Sequence, residues 1–131
     1  MDRDPTQTRV LVIEPNAPLR SAVVAVLAAE QYQVHTCGSL EEVLVRSDGD
    51  AQTVALIAWQ SMQGLLAEEH RHALVELTCR IRLVLMVPRH WARLLEQTDV
   101  ASTVAGIVAK PFEADELLHV LRRALRVPVD V

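Results

Sequence analysis

The sequence predicts a three-layer α/β domain: a doubly wound, parallel sheet of five strands with helices on both faces. Three observations carry that prediction. Val54-Ala-Leu-Ile-Ala58 is an uninterrupted apolar run between the polar cluster Ser47-Asp-Gly-Asp50 and the turn-forming Gln60, Ser61 and Gln63-Gly64. A run of that length between turn signals reads as a strand buried on both faces, the centre of a parallel sheet. Short apolar runs also alternate with helical patterns along the whole chain, which implies right-handed crossovers and a covered sheet. Finally, 131 residues that are 50% hydrophobic and 23% charged suit one domain with a sizeable core.

Each element follows from local chemistry. Met1 to Thr8 is polar and mixed in charge, a tail rather than a signal peptide. Arg9-Val-Leu-Val-Ile13 is the first strand and ends in Glu14-Pro15-Asn16. Pro15 and Pro18 stop it and open a helix over about Leu19–Gln31, with Leu19, Ala22, Val23, Val26 and Leu27 as its inward stripe. Gln33-Val-His-Thr-Cys37 is more polar, which suits a strand at the sheet edge. Ser39-Leu-Glu-Glu42 has the spacing of a capping box and starts a short helix to about Arg46.

After the central strand, Leu65 to Thr78 is helical, with Leu66, Ala73, Leu74 and Leu77 facing inward. Ile81 to Val87 is the fourth strand, stopped by Pro88. Trp91 to Gln97 is a short helix, and Val104 to Ala109 the last strand, weakened by Gly106. Glu113 to Arg126 closes the fold on Leu117, Leu118, Leu121 and Leu125. Its acids lie in the first turn and Arg122, Arg123 and Arg126 near its end, in the sense the helix dipole favours.

Composition narrows the function classes. Net charge is −4 and the basic residues gather in no one stretch, so the footprint of a nucleic-acid binder is missing. No apolar run approaches the roughly 20 residues that span a bilayer. Cys37 and Cys79 stand far apart in no metal or redox spacing, as expected of reduced thiols in a cytoplasmic protein. His70 and His72 are two apart and point to different faces of a helix, so they do not chelate together. His35, His90 and His119 form no pattern with a nucleophile. No metal, cofactor or catalytic set is predicted, and the chain is expected not to be an enzyme.

Ligands and reacting groups in open α/β sheets gather at the carboxyl ends of the strands. Here the central strand ends in Ala58-Trp59, with no acid, hydroxyl or thiol.

The chain resembles the receiver domain of two-component response regulators, the CheY-like family. The carrying residues are Val10-Leu-Val-Ile-Glu-Pro-Asn16 with Arg20, then Ala58-Trp59-Gln-Ser-Met62, and Lys110-Pro111-Phe112 opening the last helix. The resemblance implies a flavodoxin-like (βα)5 fold with strand order 2-1-3-4-5. The resemblance covers about residues 8–127; the domain is taken as 9–127 with 1–8 and 128–131 as tails, and the order of elements along the chain leads us to expect no linker or output module after the last helix.

An active receiver, by that resemblance, moves a phosphoryl group from a histidine kinase to an aspartate at the end of strand three. Mg²⁺ there wants oxygen ligands in near-octahedral geometry, supplied by two acids after strand one and the acceptor. Carried over residue by residue, the first acid is Glu14 and the second falls on Pro15. The acceptor falls on Ala58, or on Trp59 after a one-residue slip. The hydroxyl after strand four falls on Val87, the switch aromatic near Ile107, and the phosphoryl-holding lysine is Lys110.

Only Glu14 and Lys110 survive, which points to an atypical pseudo-receiver that phosphorylation does not set. Lys110 is expected to pair with Glu14, since a half-buried ammonium without a partner is costly. The expected activity is protein–protein interaction or dimerisation. In the family, the surface of the fourth helix, fifth strand and fifth helix carries such contacts, and the resemblance places Trp91, Leu95, Ile107, Phe112 and Arg122 near it. The alternative is a small-molecule ligand in the vestigial pocket of Pro15, Ala58 and Val87. A displaced acceptor, Asp48 or Asp50, would lie at the wrong end of the sheet. The expected partner is another signalling protein or a second copy, with no nucleic acid and no membrane.

Overall fold

The computed structural model describes residues 8–47, 53–62 and 71–126. The order is β1 (Arg9–Ile13), α1 (Ala17–Ala29), β2 (Gln33–Thr36), α2 (Leu40–Ser47), β3 (Thr53–Ala58), a 3-10 turn (Trp59–Ser61), α3 (Arg71–Arg80), β4 (Arg82–Pro88), α4 (Arg89–Glu96), α5 (Val100–Thr103), β5 (Gly106–Lys110) and α6 (Ala114–Ala124). The five strands are all parallel, in the order β2-β1-β3-β4-β5. The expected fold class and strand order are therefore those observed. Both predicted tails, apart from Thr8, lie outside the described residues, as do Asp48, Asp50, Leu66 and His70.

The apolar pattern builds the layers. Successive strand residues point to opposite faces. Leu11, Ile13, Ala55, Ile57, Leu83, Leu85 and Val87 pack against Val43 of α2, Leu74 and Leu77 of α3, Leu95 of α4 and Val100 of α5. Val10, Val12, Val54, Leu56, Ala58, Val84, Met86 and Val108 pack on the other face against Val23 and Leu27 of α1 and Leu117, Leu118, Leu121 and Ala124 of α6. All six residues of β3 are buried between β1 and β4, so the central strand is where the apolar run placed it.

Several boundaries shift for identifiable reasons. Helix α1 starts at Ala17 because the Asn16 side chain caps it, accepting from Leu19 N at 3.0 Å, while Pro18 fits the first turn. It ends before Gln31, whose φ of 70° is left-handed. Ala22, expected inward, is exposed; Val23, Leu27 and the partly buried Leu19 and Val26 already fill the stripe. In α2, Ser39 Oγ accepts from Glu42 N at 3.2 Å, but Glu42 reaches Gly38 N at 2.8 Å, one residue before the cap. Helix α5 is unpredicted, because its four residues are too few for a helical period to show. Thr98 Oγ1 accepts from Val100 N at its start, and Val100 and Val104 anchor it in the core.

Gly106 has a packing reason. A Cβ there would stand 2.8 Å from Val120 Cγ1, so glycine lets α6 lie close on β5. The two thiols differ. Cys37 is buried beyond β2 and Cys79 is exposed on α3, both free. Burial pushes the Cys37 thiol from an ordinary 9.0 up to about 11, and the Glu42 carboxylate pushes the same way. At pH 8 a thiol reagent is therefore expected to titrate Cys79 quickly and Cys37 only on unfolding. The raised value also sets a sign. The stability held by the neutral thiol is whole below about pH 9 and is lost as pH rises towards about 11. A Cys37→Ala variant with an unchanged alkaline limb in its denaturation curves would contradict this.

Candidate functional site: the carboxyl mouth of the sheet

Glu14 follows the last residue of β1, Ala58 ends β3, Pro88 ends β4 and Lys110 ends β5, so all four stand at one edge of the sheet. Glu14 is buried, and its side chain has no exposed surface. Its Oε1 accepts from Lys110 Nζ, and its Oε2 accepts from Asn16 N at 3.1 Å. Lys110 keeps 17% side-chain exposure. Because β3 and β4 stand between β1 and β5, this ion pair passes over the ends of both. The Ala58 methyl and the Pro88 ring present no polar group to interrupt it. The pair expected from the sequence is formed.

The other predicted pocket residues divide. Pro15 is exposed, Ala58 fully buried, and Trp59 half-buried at the start of the 3-10 turn. Val87 needs correction. It is fully buried among the residues that face α2 to α5, and its register partner is Ala109. Pro88 is the β4 residue level with Lys110, because β4 runs one residue further than its apolar run suggests. Neither residue carries a hydroxyl.

Two guanidiniums flank the pair, and sequence reasoning missed their roles. Arg20 Nη1 donates to the Glu14 carbonyl at 3.0 Å, and Arg89 Nη2 donates to the Pro111 carbonyl at 2.9 Å. The available signal for Arg89 was its place directly after β4, at the edge where α/β sheets bind ligands.

The candidate interface residues do not form one patch. Trp91 is 42% exposed on α4, and its ring stacks on Trp59 with centroids 6.0 Å apart and planes 21° from parallel. His90 tilts against Trp91 at 5.7 Å. Leu95, at 6% exposure, belongs to the core and is no surface contact; Leu94, at 53%, shares the exposed face with Trp91 at a spacing of three. Ile107 is half-buried against the α2–α5 face and Phe112 against the α1–α6 face. Arg122 turns towards α1, with Nη2 3.6 Å from Glu30 Oε2, on the opposite side of the sheet from Trp91. There it offsets part of the upward push that burial gives the Tyr32 phenol.

No protein-family model matches the sequence, and no curated protein matches it. Solved structures do. The crystal structure of FixJ-N superposes with a TM-score of 0.71 at 17% identity, covering 100% of both chains. The chemotaxis response regulator CheY4 of Vibrio cholerae gives 0.61 at 17% identity, over 89% of this chain and 98% of that one. The receiver domain of the sensor histidine kinase PA1611 from Pseudomonas aeruginosa gives 0.60 at 16% identity, over 92% and 98%. This is the receiver fold.

That receiver domain of PA1611 holds a magnesium ion in its active-site cleft. The residues at the corresponding mouth here do not fit one. Mg²⁺ needs several oxygen ligands, yet both Glu14 oxygens are engaged and Pro15, Ala58 and Pro88 offer no side-chain oxygen. Among the described residues, no three His, Cys, Asp or Glu side chains come together as metal ligands, and no helix is long and apolar enough to cross a membrane.

Proposed function

We propose that this chain is a pseudo-receiver, a cytoplasmic two-component signalling domain that takes up no phosphoryl group and works by binding another protein or a second copy of itself. One observation carries the reading. The Lys110 ammonium, which in a receiver would meet a phosphoryl oxygen, is spent on Glu14, the acid that follows β1. A carboxylate held this way is not available to a cation, and Ala58 has nothing to phosphorylate.

The contact surface we assign is the exposed face of α4, with Trp91 and Leu94 flanked by Arg89 and Arg93. Aromatic and arginine side chains are the usual anchors of such contacts. The Trp59–Trp91 stack ties that face to the mouth.

The same stack supplies the test. Mg²⁺ followed by beryllofluoride, a phosphoryl mimic, is expected to produce no saturable change in tryptophan fluorescence. A saturable response would mean that the mouth assembles a working phosphorylation site, and the pseudo-receiver reading would fall.

A further inference from the structure

Helix α4 does not hold its own place. Eight residues are too few for a helix to be stable by itself, and only Ala92 and Leu95 are set into the core. Among the described residues, its first turn is tied to the carboxyl ends of three strands. Pro88 is both the last residue of β4 and the N-cap of α4, at φ −54° and ψ 140°, so strand passes into helix with no loop residue between them. The pyrrolidine ring fixes that φ. Arg89 Nη2 donates to the carbonyl of Pro111, the residue after β5, at 2.9 Å. The Trp91 ring stacks on Trp59, the residue after β3, with centroids 6.0 Å apart. Strands β3, β4 and β5 are neighbours in the sheet, so the ties are spread over three adjacent strand ends.

One of these ties leads back to the ion pair. Pro111 follows Lys110 directly, and Lys110 Nζ is held by the buried Glu14 carboxylate. The carbonyl that Arg89 grips is therefore placed by a contact reaching across from β1.

We propose that the three ties form a latch that holds α4 in one position, with Arg89 as its positioning residue and the Glu14–Lys110 pair keeping it closed. The latch stands on these contacts alone; that the face it holds is a contact surface rests on the function proposed above. Trp91 and Leu94 are then presented in a shape set by the chain's own contacts, and opening the ion pair releases them.

Amide hydrogen exchange of the whole chain, read residue by residue by NMR, tests the latch. Arg93 to Glu96 carry the N–H groups that bond within α4, and Val54 to Ile57 in the buried centre of β3 report global unfolding. Arg89→Gln is expected to speed exchange in α4 about fivefold, the effect of one ordinary hydrogen bond. Trp59→Leu, which keeps an apolar side chain but loses the stack, is expected to speed it as well. Glu14→Gln is expected to act on α4 too, and its effect should not multiply with that of Arg89→Gln, because both free the same carbonyl. Glu30→Gln, which breaks the Arg122 contact on the other side of the sheet, is expected to leave α4 unchanged.

Unchanged exchange of α4 in Arg89→Gln overturns the latch. A Glu14→Gln effect confined to β3, or one that multiplies with Arg89→Gln, overturns its control by the ion pair. The pseudo-receiver reading fails separately, by a saturable response to Mg²⁺ and beryllofluoride, which none of these exchange rates reports.

Discussion

Lys110→Met is expected to lower the unfolding free energy by about 3 kcal/mol, at the low end of what breaking a buried ion pair costs. The substitution leaves the Glu14 carboxylate without surface exposure and with only the Asn16 N–H. That remaining bond, and the partial exposure of Lys110, keep the loss from being larger. Glu14→Gln is expected to cost less, about 1–2 kcal/mol, because the stranded ammonium can extend to water on its apolar stem. Replacing both, Glu14→Leu with Lys110→Met, removes both charges together and is expected to recover most of the loss. Urea denaturation of the four proteins measures the coupling. Additive single effects would show that the two side chains do not depend on each other, and the account of the closed mouth would fail.

Ala58→Asp is expected to destabilise by about 2–4 kcal/mol and to gain no phosphorylation, even though it places an acid at the end of β3. Ala58 is fully buried, so the new carboxylate enters an apolar place. It must either compete with Glu14 for the single Lys110 ammonium or lie beside a like charge. A metal that could offset both charges still lacks ligands, since Pro15 and Pro88 contribute none. Incubation with acetyl phosphate and Mg²⁺, read by intact mass, checks the chemistry; denaturation checks the cost. A stoichiometric mass gain that depends on Mg²⁺ would show that one missing residue was the whole defect.

The two substitutions probe different depths of the same edge. Lys110→Met opens a contact that the chain has made, whereas Ala58→Asp asks whether receiver chemistry can be built around it. Loss of stability in the first with no gain of function in the second would describe a mouth adapted to its present contents.

Much of the site was legible in the chain. The end of β3 is readable because an apolar run stops at Trp59, and Glu14 and Lys110 each follow a strand whose pattern is clear. Their pairing follows from charge alone, once both stand at one edge. Other features left no local trace. Arg20 counts in the sequence only towards the resemblance and Arg89 looks like an ordinary surface residue, until their hydrogen bonds to Glu14 and Pro111 show where they are held. Leu95 and Leu94 are adjacent in sequence, yet one is core and the other surface; the resemblance placed Leu95 by its position in the chain, which does not say which face of the helix it takes.

What the sequence determined by itself is the parallel α/β architecture and the apolar end of its central strand, because apolar periodicity and side-chain chemistry are local properties. What only the tertiary structure decided is which groups meet. The Trp59–Trp91 stack, the turn of Arg122 towards Glu30 and the place of Pro88 level with Lys110 depend on strand register and on the faces the helices cover. Those are settled by packing between residues far apart in the chain, and no local pattern encodes them.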